Sequence, residues 1–343
     1  MSEAASAPTP MYVRSGRAGI EFTRTPDGWD LALHHYSGTR RELPPAILVS
    51  GYACNRYFID FDDRYSLARF LARHGVDAWV LELRGRGHSE VAAGRRRSWT
   101  FDELVRFDVP AAIAHVRDRC GGRRPAWIGH SMGGMVAYAA LGQNPAVHEA
   151  LAGVVTLAAP MGFPALASQT VRSLGAMVLA LPLPQQLPQR GVLVALWSVL
   201  RWLPGATQVG MNPTNIDLQA FGRALRRFMS NVPRSKLRQL AQWSLTGEFR
   251  SCDGTIDYRA NLSCITTPAL IIAGAADQLA SPEMVRFTYD RISSTQKRYR
   301  EFGVRSGDST DYGHVDLIFG RRAPEEVFPV ISDWLEQEIA SLR

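Results

Sequence analysis

The sequence has few cysteines, and it lacks the spacing that would give them a metal or redox role. Its four cysteines, Cys54, Cys120, Cys252 and Cys264, lie far apart and form no C-x-x-C pair. This spacing excludes the usual patterns of a zinc site and of a dithiol redox site. An even number permits disulfides, but a chain of 343 residues gives no reason to expect them. We therefore expect free thiols in a reducing compartment.

A long apolar run is also missing. The most apolar region, residues 174–203, is interrupted by three prolines between positions 182 and 188 and contains Arg190 and Arg201. It never reaches the roughly 18 continuous apolar residues that a membrane span requires. Residues 1–16 are rich in Ser, Ala and Pro, and lack the basic start and apolar middle of a signal peptide. We predict a soluble, cytoplasmic protein without a transmembrane segment.

Lysine-rich runs and nucleic-acid-binding motifs are absent too. The net charge is +7, but the excess is mostly arginine spread along the chain. A basic balance can favour acidic surfaces, anionic lipid or acidic substrates, whereas dispersed charge is typical of a solvated surface. Hydrophobic residues make up 46% and charged residues 21% of the chain, which is ordinary for a globular protein. We predict no nucleic-acid partner.

Short apolar runs alternate with helical patterns along most of the chain. The runs Ile20–Thr25 and Asp30–Tyr36 flank a Pro-Asp-Gly turn and predict an antiparallel hairpin. Strands alternating with helices predict a mostly parallel sheet covered by helices on both faces. The fold class is therefore α/β. The five strands predicted to be buried in that sheet lie at residues 45–50, 77–83, 125–129, 154–159 and 269–273.

Two helices have clear sequence signals at their ends. Thr100 and Glu103 form a capping box that opens a helix, which Pro110 should break or kink, with Asp108 capping its second part. A terminal helix begins at Pro324. Its apolar residues share one face, which predicts burial of Val327, Phe328, Ile331, Trp334 and Leu335.

The alternation fails between residues 161 and 267. Structureless loops of that length are rare in compact domains, so we interpret 161–267 as a helical cap, or lid, inserted over one edge of the sheet. The predicted organisation is a flexible tail at 1–15, a first part of the core at 16–160, the lid at 161–267 and a second part of the core at 268–343.

The strongest chemical signal is Gly129-His130-Ser131-Met132-Gly133. The pattern G-x-S-x-G is weak alone, but here it follows a strand and opens a helix, which is the context of a nucleophile elbow. The turn must be so tight that only glycines fit beside the serine, and the helix N-terminus favours negative charge there. We predict Ser131 as the nucleophile. The alternative is an ordinary glycine-rich turn.

A serine hydroxyl needs a base to remove its proton, and an elbow predicts a histidine on a loop after the last strand. His314, in Tyr312-Gly313-His314, follows the strand-like run 297–303 and precedes the terminal helix. We predict it as the base, with a surface turn histidine as the alternative.

The order Ser, acid, His requires a carboxylate between these two residues. Asp277 ends the fifth strand, where a side chain reaches the carboxyl edge of the sheet, and it would orient the imidazole. Asp308 and Asp311 are the rivals. Asp277 has the alternative role of a helix cap for the segment that begins at Ser281.

The reaction also needs an oxyanion hole. One backbone N–H should come from Met132, after the nucleophile, and the other from the loop after the first central strand, where Tyr52 is the natural donor. Cys54 lies in the same loop, and a packed thiol is favoured over a catalytic one. This chemistry requires no cofactor and no metal.

From about Pro45 to the end, except for the lid, the chain resembles the α/β-hydrolase superfamily. Arg84-Gly85-Arg86-Gly87-His88-Ser89 is similar to a turn that is common after the second central strand. The segments 99–103, 108–111, 314–320 and 323–325 resemble the acid lipases. The segments 54–57 and 312–315, together with Asp60, resemble the polyhydroxyalkanoate synthases. The resemblance implies the α/β-hydrolase fold and an esterase or lipase activity.

Two departures from these families matter. The synthases have cysteine where this chain has Ser131, which favours hydrolysis over polymerisation. Lipases usually have His-Gly where this chain has Ser50-Gly51, so the sequence does not show which hydrogen bond fixes the oxyanion loop.

Taken together, these residues predict a serine hydrolase that cleaves carboxylic esters through an acyl-enzyme. The alternatives are an acyltransferase or thioesterase with the same triad, and a catalytically silent receptor of the same fold. The apolar lid suggests a hydrophobic acyl group, although the same residues are equally expected from simple packing of a cap. The expected partner is a small-molecule ester. The lid residues concerned are Leu179, Leu181, Leu183, Val192, Leu193, Leu196, Trp197 and Trp202.

Overall fold

One large β-sheet forms the centre of the computed structural model, which describes residues 19–91, 98–162, 176–201 and 207–340. The strands run in the order β1-β2-β4-β3-β6-β7-β10-β11, and β5 pairs with β2. The six strands from β4 to β11 in this order are parallel. The strands are β1 (Ile20–Arg24), β2 (Trp29–Tyr36), β3 (Ala46–Val49), β4 (Ala78–Glu82), β5 (Glu90–Val91), β6 (Ala126–His130), β7 (Gly153–Leu157), β10 (Ala269–Gly274) and β11 (Lys297–Phe302), and β8 (Gln186–Leu187) pairs separately with β9 (Val232–Pro233).

The predicted α/β class, the hairpin and the five buried strands are confirmed. β1 and β2 pair antiparallel, and every residue of β3, β4, β6, β7 and β10 is buried. Strands buried on both faces carry continuous apolar runs because helices cover both sides. The helices are α1 (Leu67–Arg73), α2 (Phe101–Glu103), α3 (Val109–Arg119), α4 (Met132–Gln143), α5 (Pro145–Ala150), α6 (Gln189–Leu200), α7 (Leu218–Phe228), α8 (Arg234–Thr246), α9 (Pro282–Arg291), α10 (Asp316–Phe319) and α11 (Ala323–Trp334).

The capping box at Thr100 and Glu103 forms as predicted, but the predicted cap at Asp108 is wrong. A π-helical turn, Leu104–Asp108, joins α2 to α3, and Asp108 has helical backbone angles rather than the extended ones of a cap. Such a turn lets the chain pass a proline without a full break. The Asp108 carboxylate instead accepts from Arg84 Nε at 2.8 Å and from the Arg84 backbone N–H at 3.0 Å.

The terminal helix α11 begins beside Pro324, and the five apolar residues that the sequence predicted are buried, four in α11 and Leu335 in the π-helical turn that follows. All four cysteines are free. In the part of the chain that the structure describes, no helix is long and apolar enough to cross a membrane. The predicted tail, residues 1–15, and the predicted lid residue Trp202 lie outside the described residues.

The described part of the segment 161–267 contains the helices α6, α7 and α8. The start of α7 is tied to the core by a β-bridge between Ile216 and Gly320. Its end is tied to the loop after β3, where Asn55 N–H donates to Phe228 O and Ser230 N–H donates to Ala53 O. The helices of this segment therefore lie over the loops that follow the parallel strands.

Candidate active site

Ser131 lies on the sharp turn between β6 and α4. Its backbone angles are φ 50° and ψ −122°, which a residue with a side chain rarely adopts. A Cβ atom on Gly129 would come within 2.4 Å of the Gly133 backbone, and one on Gly133 within 2.3 Å of Val49 O. The flanking glycines are required by these close approaches, as the sequence motif implied.

Hydrogen bonds hold this turn in place. Ser131 N–H donates to Leu157 O at 2.7 Å, and the Trp127 indole donates to Gly133 O at 2.8 Å. His130, which sequence reasoning gave no role, has its Nε2 2.9 Å from His314 O. Nε2 therefore donates to that carbonyl, and burial lowers the pKa of His130 to about 3. A neutral imidazole thus links the serine turn to the loop of His314.

His314 and Asp277 are in direct contact. The distance from His314 Nδ1 to Asp277 Oδ2 is 2.8 Å, and both residues are buried. The second carboxylate oxygen, Oδ1, accepts from the backbone N–H groups of Leu279 and Ala280, at 2.8 Å each. Asp277 therefore orders the turn that follows β10 while it contacts the imidazole. The helix α9 has its own cap in Ser281.

The two rival acids have other partners. Asp308 accepts from Arg300 and from the Gly303 N–H, the latter at 2.7 Å. Asp311 accepts from the Val304 N–H at 2.9 Å. Both carboxylates thus organise the loop after β11, whereas Asp277 occupies the position beside the imidazole.

Arg86 holds the loop after β3, and sequence reasoning missed it. Its Nη1 donates to Gly51 O at 2.7 Å and to Ser50 O and Cys54 O at 3.3 Å each. Gly51 O and the Tyr52 N–H belong to one planar trans peptide, so a hydrogen bond to the oxygen also fixes the direction of the N–H. Ser50 Oγ closes the loop by donating to Cys54 O at 2.7 Å. These bonds fix the loop in this chain, which lacks the usual histidine.

The Tyr52 side chain is held by the segment 161–267. Its hydroxyl donates to Gln189 Oε1 at 3.1 Å. Lys236 Nζ lies 5.0 Å from the centre of its ring, in a cation–π arrangement. Lys236 is almost completely buried, and this burial lowers the pKa of its ammonium group well below the ordinary value. Cys54, also buried, is a packed thiol whose Sγ donates to Tyr52 O at 3.2 Å.

Asp316 joins the His314 loop to the segment 161–267. One carboxylate oxygen, Oδ2, accepts from the N–H groups of Gly313 and Asn212, each at 3.0 Å. Asn215 Nδ2 also donates to it, at 3.3 Å. Burial raises the pKa of Asp316 to about 6. The residue lies two positions after the predicted base, and only its tertiary contacts give it this role.

A pocket of about 420 Å³ opens over these residues and brings together Ser131, His314, Tyr52 and Met132. Among the described residues that line it, none is Asp, Glu, Lys or Arg. Its remaining walls are largely apolar and come from Cys54, Phe58, Met135, Pro160, Leu193, Phe221, Leu225, Phe228, Met229, Leu240, Leu279 and Val315.

The apolar lid residues named from the sequence have different environments. Leu193 lines the pocket, and Trp197 is buried against Phe221 at a ring distance of 5.1 Å. Val192 and Leu196 are about half exposed. The helix α7 supplies Phe221, Leu225 and Phe228 to the apolar wall, and the sequence analysis singled out none of them.

Comparisons with known proteins show the family of the chain. The family model described as "Serine aminopeptidase, S33" matches residues 60–303. Lipase member M of Homo sapiens is 23% identical over 313 residues, which cover 81% of this chain and 71% of the relative. Triacylglycerol lipase 2 of Arabidopsis thaliana is 23% identical over 364 residues, which cover 93% of this chain and 82% of the relative.

Solved structures are similar over nearly the whole chain. A hydrolase from Pseudomonas aeruginosa superposes with a TM-score of 0.58 and 19% identity, covering 93% of this chain and 99% of the other. A monoacylglycerol lipase from Paleococcus ferrophilus superposes with a TM-score of 0.58 and 17% identity, covering 89% and 98%. At these identities, the likeness concerns the fold.

Proposed function

Since the chain belongs to the serine aminopeptidase S33 family of α/β hydrolases, we propose that it is a carboxylic ester hydrolase that works through Ser131, His314 and Asp277. The observation that carries this proposal is the pocket, which is lined by the serine and by a histidine already paired with a buried carboxylate. The relatives that bear the name lipase support the same chemistry.

The proposed reaction begins when Ser131 Oγ attacks the acyl carbon. His314 donates its Nδ1–H to Asp277, so its Nε2 carries the lone pair that accepts the serine proton. The resulting imidazolium gives that proton to the leaving alcohol, and an acyl-serine remains. Water then attacks with the same base, and the acid and free serine are released. Asp277 orients the ring and stabilises its charged form.

The oxyanion of each tetrahedral intermediate is proposed to bind the N–H groups of Tyr52 and Met132. Donors that are fixed before the reaction stabilise the developing charge without reorganising. The hydrogen bond from Arg86 to Gly51 O supports this role, because it fixes the peptide that carries the Tyr52 N–H.

The proposed substrate has a hydrophobic acyl group. Each buried methylene contributes about 0.8 kcal/mol of binding, and the walls from α7 offer apolar contacts along the pocket. An aminopeptidase substrate carries an ammonium group, which a carboxylate would have to bind. Because no described lining residue is acidic, the pocket favours a neutral ester over an aminoacyl group.

We also propose that residues 161–267 act as a lid. The described helices of this segment supply Gln189, Leu193, Phe221 and Leu225 to the pocket walls, so the segment decides how much of an acyl chain is shielded from water. The core on either side, 16–160 and 268–343, supplies the reacting groups.

The proposal is tested with p-nitrophenyl esters of increasing acyl length and with aminoacyl p-nitroanilides. We expect kcat/KM to rise about fourfold for each methylene that enters the pocket, and negligible amide cleavage. Ser131→Ala should abolish hydrolysis and labelling by a fluorophosphonate probe. A wild type that the probe fails to label, or a Ser131→Ala variant that it labels equally, would indicate a silent receptor. Acyl transfer to an added alcohol in preference to water would indicate a transferase.

A further inference from the structure

A cluster of His34, Glu82 and His88 lies outside the chemistry proposed above. His34 is on β2 and Glu82 ends the antiparallel neighbour β4, two positions beyond the register partner Val80, so both side chains lie on the same face. His88 belongs to the turn 84–89 that follows β4. One ligand atom from each residue lies within 4.8 Å of the other two.

Two imidazole nitrogens of the cluster converge on one carboxylate oxygen. His34 Nε2 and His88 Nδ1 each lie 3.2 Å from the same carboxylate oxygen, Glu82 Oε2. This is the long end of the N–H···O range, and of the two contacts only that of His88 has hydrogen-bond geometry. His34 is 96% buried, and its Nε2 has no hydrogen-bond partner of normal geometry among the described residues. A buried nitrogen that is aimed at a carboxylate oxygen without bonding it requires an explanation.

We propose that His34, Glu82 and His88 bind a divalent transition-metal ion, and that Zn²⁺ is the ion that this donor set fits best. Two imidazoles and one carboxylate are ligands that zinc prefers, at about 2.0–2.2 Å from the metal. Tetrahedral bonds of that length separate neighbouring ligand atoms by about 3.4 Å. The two separations of 3.2 Å are close to this value. The third pair of ligand atoms lies within 4.8 Å, and the His88 side chain is half exposed, so its ring has room to turn toward an ion.

The remaining bonds of Glu82 leave room for the ion. Oε1 accepts from the Arg56 N–H at 3.1 Å, and Oε2 accepts from the His88 backbone N–H at 2.7 Å. The second acceptor direction of Oε2 faces His88 Nδ1 at 3.2 Å, and the metal would take the place of that hydrogen bond. His34 and Glu82 are buried while the His88 side chain is 48% exposed, so the ion would enter from that side, with water as its fourth ligand.

Metal binding would affect the neighbouring loops through Glu82 and His88. The turn 84–89 contains Arg86, which is hydrogen-bonded to the loop after β3. Arg56 lies at the end of that loop, and its N–H donates to Glu82. A bound ion would therefore join β2, β4, the turn and the oxyanion loop at one point. The proposed ion therefore has a structural role, and it takes part in no step of ester hydrolysis.

The test is a titration of the full chain, free of affinity tag and stripped with EDTA, with ZnCl₂ in a calorimeter. We expect one Zn²⁺ per chain, and Co²⁺ at the same site should give the visible absorption of tetrahedral coordination. His88→Gln removes an exposed ligand and should leave the fold intact, as circular dichroism would show. It should weaken Zn²⁺ binding by at least the 10–100-fold that loss of even an outer-shell partner causes.

His74→Gln is the matched control, because His74 is an exposed histidine at the end of α1, outside the cluster. It should bind Zn²⁺ as the wild type does. His34→Gln, if it folds, should repeat the result of His88→Gln. A wild type without saturable Zn²⁺ binding would overturn the proposal. So would a His88→Gln variant that keeps the wild-type affinity within threefold, because Zn²⁺ would then be bound elsewhere, for example at the exposed thiols Cys252 and Cys264.

Discussion

Replacing Arg86 with methionine tests how the oxyanion loop is fixed. Methionine keeps most of the buried volume but removes the Arg86 donor to Gly51 O, which is the shortest of its three contacts at 2.7 Å. Gly51 O then keeps only the long hydrogen bond from the Cys54 N–H, at 3.4 Å. Cys54 O keeps its bond from Ser50 Oγ, so the main loss falls on the Gly51–Tyr52 peptide. Freed from the guanidinium, this peptide can rotate and turn the Tyr52 N–H away from the substrate.

The size of the effect follows from that one bond. A hydrogen bond to a charged group contributes about 1.5–3 kcal/mol, and complete loss of an oxyanion donor lowers kcat by about 10²–10³-fold. We expect Arg86→Met to lower kcat by about 30- to 150-fold, which corresponds to about 2–3 kcal/mol. KM should change by less than about threefold, because the donor acts on the transition state rather than on the bound ester.

The assay is steady-state hydrolysis of a p-nitrophenyl ester, with active sites counted by fluorophosphonate so that kcat refers to folded enzyme. Arg86→Lys restores a charged donor without the planar fork and should recover part of the loss. Thermal unfolding of both variants separates a stability effect from a positioning effect. An Arg86→Met enzyme with kcat within threefold of the wild type, or with the whole loss in KM, would refute the reasoning.

Four further outcomes are expected. Asp277→Asn should lower kcat about 10⁴-fold with little change in melting temperature, because the amide oxygen still accepts from the turn; a loss below tenfold would contradict the assignment. Leu225→Trp should shift the acyl-length optimum in the ester series to shorter chains, and an unchanged optimum would contradict the pocket. Burial raises the pKa of Asp316 to about 6 from 3.8 in the unfolded chain, so the free energy of unfolding should decline as pH rises between these values. Urea unfolding of Asp316→Asn should lack this decline, and a pH profile of stability equal to that of the wild type would contradict the prediction. Burial raises the pKa of the Cys54 thiol to about 12, so iodoacetamide near pH 8 should alkylate the two exposed cysteines and spare Cys54, as peptide mass mapping would show.

The parts of the fold that could be predicted are those in which a local pattern has a single physical cause. Buried parallel strands need apolar residues on both faces, so β3, β4 and β6 are visible as continuous runs. The serine turn needs glycines because a Cβ would strike backbone atoms. The predicted pairing of His314 with Asp277 follows from the order of the elements, and the two side chains are 2.8 Å apart.

The residues that could not be predicted act through distant contacts. Asp108 has the sequence context of a cap, but Arg84, which is 24 positions away, is a stronger partner for a buried carboxylate. Arg86 belongs to a residue type that is mostly exposed, and nothing next to it in the sequence shows that it binds three carbonyl groups. Lys236 also belongs to a residue type that is mostly exposed, yet its side chain is buried and lies against the Tyr52 ring.

The attachment of α7 bears on the path that the proposed ester substrate takes. Both ends of this helix are joined to the core by main-chain hydrogen bonds or bridges, at Ile216 and around Phe228. The helix α6 is held by side-chain contacts such as that of Gln189 with Tyr52. For the lid proposed above, we therefore expect substrate to enter on the α6 side, so a cross-link between α6 and the core should slow product release and leave the chemical step unchanged.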